Sequence, residues 1–319
     1  MKTISIVVPA YNEQDALPIF YGRLTAVLSS LPDYGYELLF INDGSRDGTL
    51  SVIKELRERD SRVSYVNLSR NFGQEVAMLA GLDYARGDAV VFMDADCQDP
   101  PELLPELVYW WEGGYDDVYA RRRTRKGDGP LKRLTASIFY RLLQRTTRIE
   151  IQRDTGNYRL LDRRCVEALK LFRESQRYTK GLFSWIGYNK KEVLFDREAR
   201  AAGRSKWSFP KLLSLAIEGI TSFTTSPLRM ASVFGIIASL AAFVYMIVIF
   251  IQTLAYGNPV AGYPSLMVVV LFLGGIQLIG IGIAGEYIAR IFNETKSRPK
   301  YLVDEHNGER ETNIREREK

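Results

Sequence analysis

The chain has 319 residues, a formal net charge of +5, 46% hydrophobic residues and two cysteines, Cys97 and Cys165. That length holds one α/β domain of ordinary size with a smaller appendage, and two cysteines fit a reduced compartment rather than a disulfide scaffold. The net charge hides an asymmetry: residues 1–118 carry 9 basic and 20 acidic groups (net −11), residues 119–206 carry 24 and 9 (net +15).

In chain order, the first ~120 residues alternate short apolar runs with helical patterns, as βαβ units do. Ile4–Pro9 reads as a buried strand rather than a leader peptide, followed by a helix over Gln14–Leu31. Glu37–Asn42 is a second strand, Asp43–Thr49 a Gly/Asp turn, and a helix runs on to about Arg59. Val63–Leu68, Gly73–Ala85 and Ala89–Asp94 repeat the pattern, and a helix over Pro100–Trp111 opens on prolines, which suit a first turn. A fifth strand starts at Asp117–Ala120. Arg121–Lys126 and Gly127–Pro130 read as a basic loop, Leu131–Thr147 and Asp162–Phe172 as helices, and Gly156–Leu161 as extended.

Phe209, Leu212, Leu213, Ala216, Ile217, Ile220 and Phe223 recur at spacings of three and four, giving an amphipathic helix suited to a membrane interface or to the soluble domain's surface. Between Arg229 and Glu286 there is no Asp, Glu, Lys or Arg. Met230–Thr253 and Ser265–Gly285 are each near the ~20 residues that cross a hydrocarbon core, with Leu254–Pro264 as the turn between them. A soluble helical hairpin would show a polar stripe, and neither segment has one. Lys and Arg flank the pair on both outer sides and are missing from the turn, which puts both termini in the cytosol of an integral membrane protein. The basic block precedes these spans, so anionic headgroups and a lipid phosphate are its expected partners, not nucleic acid. Gly274, Gly275, Gly280, Gly282 and Gly285 suit close helix contact and hence a homo-oligomer. The tail from Asn293 is charge-balanced and poor in apolar residues, an expected disordered segment.

In open α/β sheets, ligands bind beyond the carboxyl ends of the strands. Three such ends carry acidic residues: Pro9-Ala10-Tyr11-Asn12-Glu13, Asn42-Asp43-Gly44-Ser45 and Asp94-Ala95-Asp96-Cys97-Gln98-Asp99-Pro100. Asp94 and Asp96 followed by Gln98 offer hard oxygen ligands for Mg²⁺ or Mn²⁺ bridging to a diphosphate; acidic residues after strands also serve as turn or helix caps. The single histidine, His306, leaves no His-based catalysis or His-rich metal site.

These motifs resemble family 2 glycosyltransferases of GT-A fold, and more closely the polyprenyl-phosphate glycosyltransferases: bactoprenol glucosyltransferases of the O-antigen-modifying type and dolichyl-phosphate mannose synthases. The likeness extends to Asp154–Arg163, Gly203-Arg204-Ser205-Lys206 and Ser226-Pro227-Leu228-Arg229. It implies a Rossmann-like, mostly parallel sheet domain over 1–206. An interfacial helix over 207–227, two transmembrane helices over 228–292 and a cytosolic tail over 293–319 would follow. It further implies that Pro9, Tyr11, Asn12, Glu13 and Asp43 hold the nucleoside, with Asp43 accepting from the base. Asp94 and Asp96 would lie against ribose and diphosphate, with Asp96 and Gln98 on the metal. Arg122, Arg204, Ser205 and Lys206 would meet phosphates, and Asp154 would orient a cation, contact the sugar or act as a base. Asn42 stands where many members have an Asp, and Cys97 where Leu is usual, a packing substitution. The implied reaction is transfer of a hexose, by preference glucose from UDP-glucose, to undecaprenyl phosphate with inversion. GDP-mannose, UDP-N-acetylglucosamine or a modified pentose are the alternative donors. A processive polysaccharide synthase is the runner-up, and Gln176-Arg177-Tyr178 does not supply the acceptor motif it needs.

Overall fold

The computed structural model describes residues 1–123, 152, 155–174, 177, 179–196, 226–256 and 262–310. Two compact units emerge, Met1–Leu215 with Pro299–Lys319, and Ala216–Arg298.

The first unit is built on a nine-stranded sheet in the order β7-β5-β6-β4-β1-β2-β3-β8-β9. In chain order its elements are β1 (Thr3–Ala10), α1 (Leu17–Leu28), β2 (Gly35–Asn42), α2 (Thr49–Arg59), β3 (Val63–Leu68), α3 (Gln74–Tyr84) and β4 (Ala89–Phe92). A 3-10 turn (Pro101–Leu103) leads into α4 (Leu104–Glu112), then β5 (Asp117–Arg122), β6 (Thr155–Asp162), α5 (Arg163–Lys170), α6 (Thr179–Trp185) and β7 (Lys190–Phe195). The central strands β4, β1, β2 and β3 run parallel. β6 lies antiparallel between β4 and β5, so β4 and β5 point the same way.

The central strands read as continuous apolar runs because helices cover both faces. On one side Ile4, Ile6, Val8, Phe40 and Val91 pack against Phe20 and Leu24 of α1 and Leu104 and Leu107 of α4. On the other, α3 contacts β1 and β2. It does so closely: a Cβ at Gly81 would stand 2.2 Å from Val7 Cγ1. α5 starts where Asp162 Oδ1 accepts from the Arg164 N–H at 3.0 Å, an N-cap that satisfies one otherwise open donor.

The second unit holds α7 (Ser226–Tyr256) and α8 (Tyr263–Thr295). Phe272–Thr295 in α8 is long and apolar enough to cross a membrane, and Ala231–Tyr245 in α7 is a shorter apolar stretch. Among the described residues one helix therefore meets the length criterion where two were expected, and α8 continues ten residues past the expected Gly285 end.

The expected disordered tail is corrected over part of its length. β8 (Val303–His306) and β9 (Glu309–Arg310) form a short antiparallel ladder, and β8 pairs antiparallel with β3. Backbone pairing with an open sheet edge outweighs the segment's low apolar content, since an unpaired edge strand is itself unfavourable. Residues 311–319 lie outside the described residues, as does most of the expected interfacial helix over 207–227.

Candidate active site

β1 and β2 end in register, Ala10 opposite Asn42, and β4 ends at Phe92, opposite Val7. The residues that follow them, Tyr11–Glu13, Asp43–Ser45 and Asp94–Gln98, therefore share one edge of the sheet. Arg122 closes β5 at that same edge, and Thr155 and Gly156 open β6 there.

Backbone conformation shapes the first two segments. Asn12 is left-handed (φ 54), which turns the chain so that its N–H reaches Ser45 Oγ at 3.0 Å and its Oδ1 accepts from the Arg46 N–H at 2.9 Å. The Glu13 N–H donates to Thr49 Oγ1 at 2.8 Å, while its carbonyl accepts from Ala16 and Leu17 to open α1. Pro9, Tyr11, Asn12 and Glu13 stay half-buried. Gly44 (φ +60) is forced by a close approach: a Cβ there would stand 2.3 Å from the Arg70 carbonyl carbon.

Asp43 is buried, and its two oxygens accept from the Phe72 and Gly73 N–H groups at 2.7 and 2.9 Å. It thereby ties the loop after β3 to the turn after β2. Burial raises its pKa, opposed by those two hydrogen bonds and by Arg70.

Asp94 Oδ1 accepts from Gln74 Nε2 at 2.8 Å, and Asp96 Oδ1 accepts from the Gln98 N–H at 3.1 Å. Between them Cys97 is left-handed (φ 56) with its side chain buried in the main core, so it is a packing residue whose thiol burial pushes up. Among the described residues no three His, Cys, Asp or Glu side chains converge into a cage. Two half-buried carboxylates and an amide oxygen on one short turn nevertheless fit Mg²⁺ or Mn²⁺, which are commonly held by one or two carboxylates plus substrate phosphates.

Arg122 Nη2 and Asp99 Oδ2 lie 3.6 and 3.7 Å from where a Gly156 Cβ would stand, which places a cation and a buried carboxylate together at the mouth of β6. Two further residues join them that no strand-end pattern pointed to. Lys180 Nζ donates to the Thr155 carbonyl at 3.0 Å, and Glu75 Oε2 accepts from the Thr179 N–H at 3.0 Å. Burial lowers the Lys180 pKa, while Glu75 and Asp94 pull it back up. The loop after β3 was the signal for Gln74 and Glu75; it ends a parallel strand at the same edge but carries no acidic run. Lys180 comes from a segment without a recognisable pattern. Asp154, Arg204, Ser205 and Lys206 fall outside the described residues.

An edge of this kind, acidic over β1, β2 and β4 and basic from β5 onward, suits a ligand with a nucleoside and phosphates. Residues 5–170 match the family described as Glycosyl transferase family 2, and residues 226–291 match the GtrB C-terminal hairpin. A bactoprenol glucosyl transferase of Shigella phage SfX is 47% identical over 94% of this chain and 98% of its own length. An uncharacterized glycosyltransferase of Synechocystis, sll0501, is 48% identical over 95% of each chain. A crystal structure of Mycobacterium tuberculosis glucosyl-3-phosphoglycerate synthase aligns at TM-score 0.45 and 21% identity, over 69% of this chain and 77% of the other. The chain belongs to the family 2 glycosyltransferases, and its sheet domain has the GT-A fold.

Proposed function

We propose that the protein transfers a hexosyl group from a nucleotide-sugar, by preference UDP-glucose, to a polyprenyl phosphate at the cytosolic face of a membrane, with inversion. The carrying observation is the end-to-end likeness to a bactoprenol glucosyl transferase, which spans both the sheet domain and the helical hairpin. The charge division supports it: an acidic strand edge takes the donor, and the +15 block next to the apolar helices takes phosphates.

In this reading Tyr11, Asn12 and the Asp43 turn seat the nucleoside. Asp94, Asp96 and Gln98 hold a divalent cation, which when bound neutralises charge on the leaving diphosphate. Arg122 and Lys180 supply positive charge from β5 and α6, with Arg204, Ser205 and Lys206 on the acceptor phosphate. A lipid monophosphate has a second pKa of about 6 and is already a dianion near neutral pH. Its oxygen attacks the anomeric carbon as the bond to the nucleoside diphosphate breaks, and no proton has to be removed. Asp154 is then an orienting residue for a neighbouring cation. The protein's task is to hold two anions in line, worth several kcal/mol of the barrier when the geometry is right. The two apolar helices both cross the bilayer, both termini face the cytosol, and association of copies through the glycine-rich α8 completes the membrane part.

The test is incubation of membranes containing the protein with labelled UDP-glucose, GDP-mannose and UDP-N-acetylglucosamine, with and without undecaprenyl phosphate. A lipid-soluble β-linked phosphosugar, formed only with the lipid added, is expected. Transfer to water or to a growing glycan alone would overturn the acceptor, and an α-linked product seen by NMR would overturn inversion.

A further inference from the structure

The chain's last strands reach the donor side of the site through a file of side chains. Asn42 and Asn67 face each other in register across β2 and β3, and Asn42 Nδ2 donates to Asn67 Oδ1 at 2.7 Å. Asn67 Nδ2 donates in turn to Asp304 Oδ2 at 3.1 Å. At the other end, Asn42 Oδ1 accepts from the Ser45 N–H at 3.4 Å, and Ser45 Oγ accepts from the Asn12 N–H at 3.0 Å. Every bond in the file points the same way, from Asn12 toward Asp304.

Asp304 sets that direction. An amide carries a donor at one end and an acceptor at the other, so Asn42 and Asn67 would bond to each other equally well with both turned round. A carboxylate only accepts. With Asp304 in place, Asn67 must show its oxygen to Asn42, and Asn42 must show its own oxygen to Ser45. Turned round, Asn42 would press its NH2 against the Ser45 N–H, donor against donor. Asn42 is 2% exposed and Asn67 8%, so water offers little relief.

The backbone supports the same assignment. In the β3–β8 ladder Asn67 pairs with Glu305 and Leu68 with Val303, which leaves Asp304 as the extra residue of a β-bulge. Bulges re-aim a side chain, and here the re-aimed side chain meets Asn67. Other contacts hold the strand independently: Lys54 Nζ lies 2.8 Å from Glu305 Oε1, Asn307 Oδ1 accepts from the Tyr65 N–H at 2.8 Å, and the Leu302 carbonyl accepts from Ser69 at 2.9 Å. Changing Asp304 therefore leaves β8 docked.

We propose that Asp304 is a positioning residue for the donor: by fixing the amides of Asn67 and Asn42 it holds the Asn42–Ser45 turn and Asn12 in the arrangement that receives the nucleoside. This rests on the donor reading of that turn.

The experiment compares full-length wild type with Asp304→Ala, Asp304→Asn and Asp304→Lys in lipid nanodiscs. UDP and GDP are titrated separately by calorimetry, with transfer kinetics and melting temperature in parallel. Asp304→Ala is expected to weaken nucleoside diphosphate binding and raise the donor KM by about three- to tenfold, the scale of one ordinary hydrogen bond, because Asp304 acts on the donor only through the two amides. The lipid-acceptor KM and kcat stay unchanged. Asp304→Asn keeps an acceptor oxygen and restores binding, whereas Asp304→Lys, which can only donate, binds more weakly than Asp304→Ala. Equal binding by wild type and Asp304→Ala overturns the inference. So does parallel loss in the Ala and Asn variants that tracks a fall in melting temperature. If wild type binds neither UDP nor GDP, the donor reading falls and takes this with it; wild-type binding that Asp304→Ala leaves intact sinks this inference alone.

Discussion

Arg159 and Asp117 form an ion pair with side chains 1% and 0% exposed, Nη1 to Oδ2 at 2.8 Å, and the guanidinium lies 3.7 Å from the centre of the Phe183 ring. Removing one partner leaves a buried charge uncompensated, so Arg159→Met is expected to cost about 3–5 kcal/mol in denaturant unfolding of the sheet domain. Arg159→Met with Asp117→Leu recovers much of that loss, because the pair's own desolvation is removed with it. At the site, Asp96→Asn is expected to lower transfer about a hundredfold or more, since a metal clamp supplies several kcal/mol of charge stabilisation. Activity equal to wild type would sink the metal assignment to Asp96. Asp60 gives a pH dependence: its Arg62 partner, then backbone and Tyr21 hydrogen bonds, hold its pKa at about 2. A lowered carboxylate stabilises fully above its unfolded value of about 3.9 and loses that contribution as pH falls toward 2. Arg62 is partly exposed, so the effect is small, and Asp60→Asn flattens it in acid melts. The carboxylates of Asp94 and Asp96 are legible in the sequence because they follow an apolar strand at a fixed offset. Lys180 is not legible: its place depends on the hydrogen bonds that tie the start of α6 to Thr155 and Glu75, and no local spacing encodes those.

At the scale of elements, close approach matters more than propensity. Gly81 lets α3 lie on β1, and Gly81→Ala drives a methyl into Val7, an overpacking expected to cost about 1–3 kcal/mol by thermal unfolding. Gly44→Ala meets the rigid Arg70 backbone and a left-handed φ together. Donor binding should fall further there than at Gly81, measured as nucleoside diphosphate affinity, and an unchanged affinity would mean the turn does not touch the donor. The parallel strands were legible because both of their faces are covered and their sequences are uninterrupted apolar runs. β7 and β8 were not. Lys190–Phe195 begins with two lysines and a glutamate, and Val303–His306 carries the acidic pair Asp304-Glu305 at its centre, both in outer positions of the sheet where one side faces water. Such strands owe their existence to the neighbour they pair with, and a periodicity search reads them as loop.

At the scale of the whole molecule, α7 and α8 expose large apolar side chains such as Ile236, Leu278 and Ile281, at 61%, 71% and 67%. Exposed apolar surface of this extent marks a site of interaction with a membrane or another protein, and the proposed function takes it to be the membrane. The protein is expected to stay in the membrane pellet after ~1 M salt and after an alkaline wash, because burial in hydrocarbon is not screened as surface charge is. Release by salt alone would show attachment through the basic block only, and would end the reading of these helices as membrane spans.

The pairing of β8 with β3 also bears on how the chain is made. Residues 303–306 leave the ribosome after every residue of both apolar helices, yet the open edge they cover belongs to a strand synthesised some 240 positions earlier. Until then β3 offers unpaired backbone groups to any passing chain, so the nascent sheet domain is exposed to mispairing during hairpin synthesis. The file from Asn12 to Asp304 closes only once the last strand arrives. On the proposed role of Asp304, a chain cut short before β8 is expected to bind nucleoside diphosphate more weakly than the full chain, so a sheet domain still waiting for that strand takes up less of its donor.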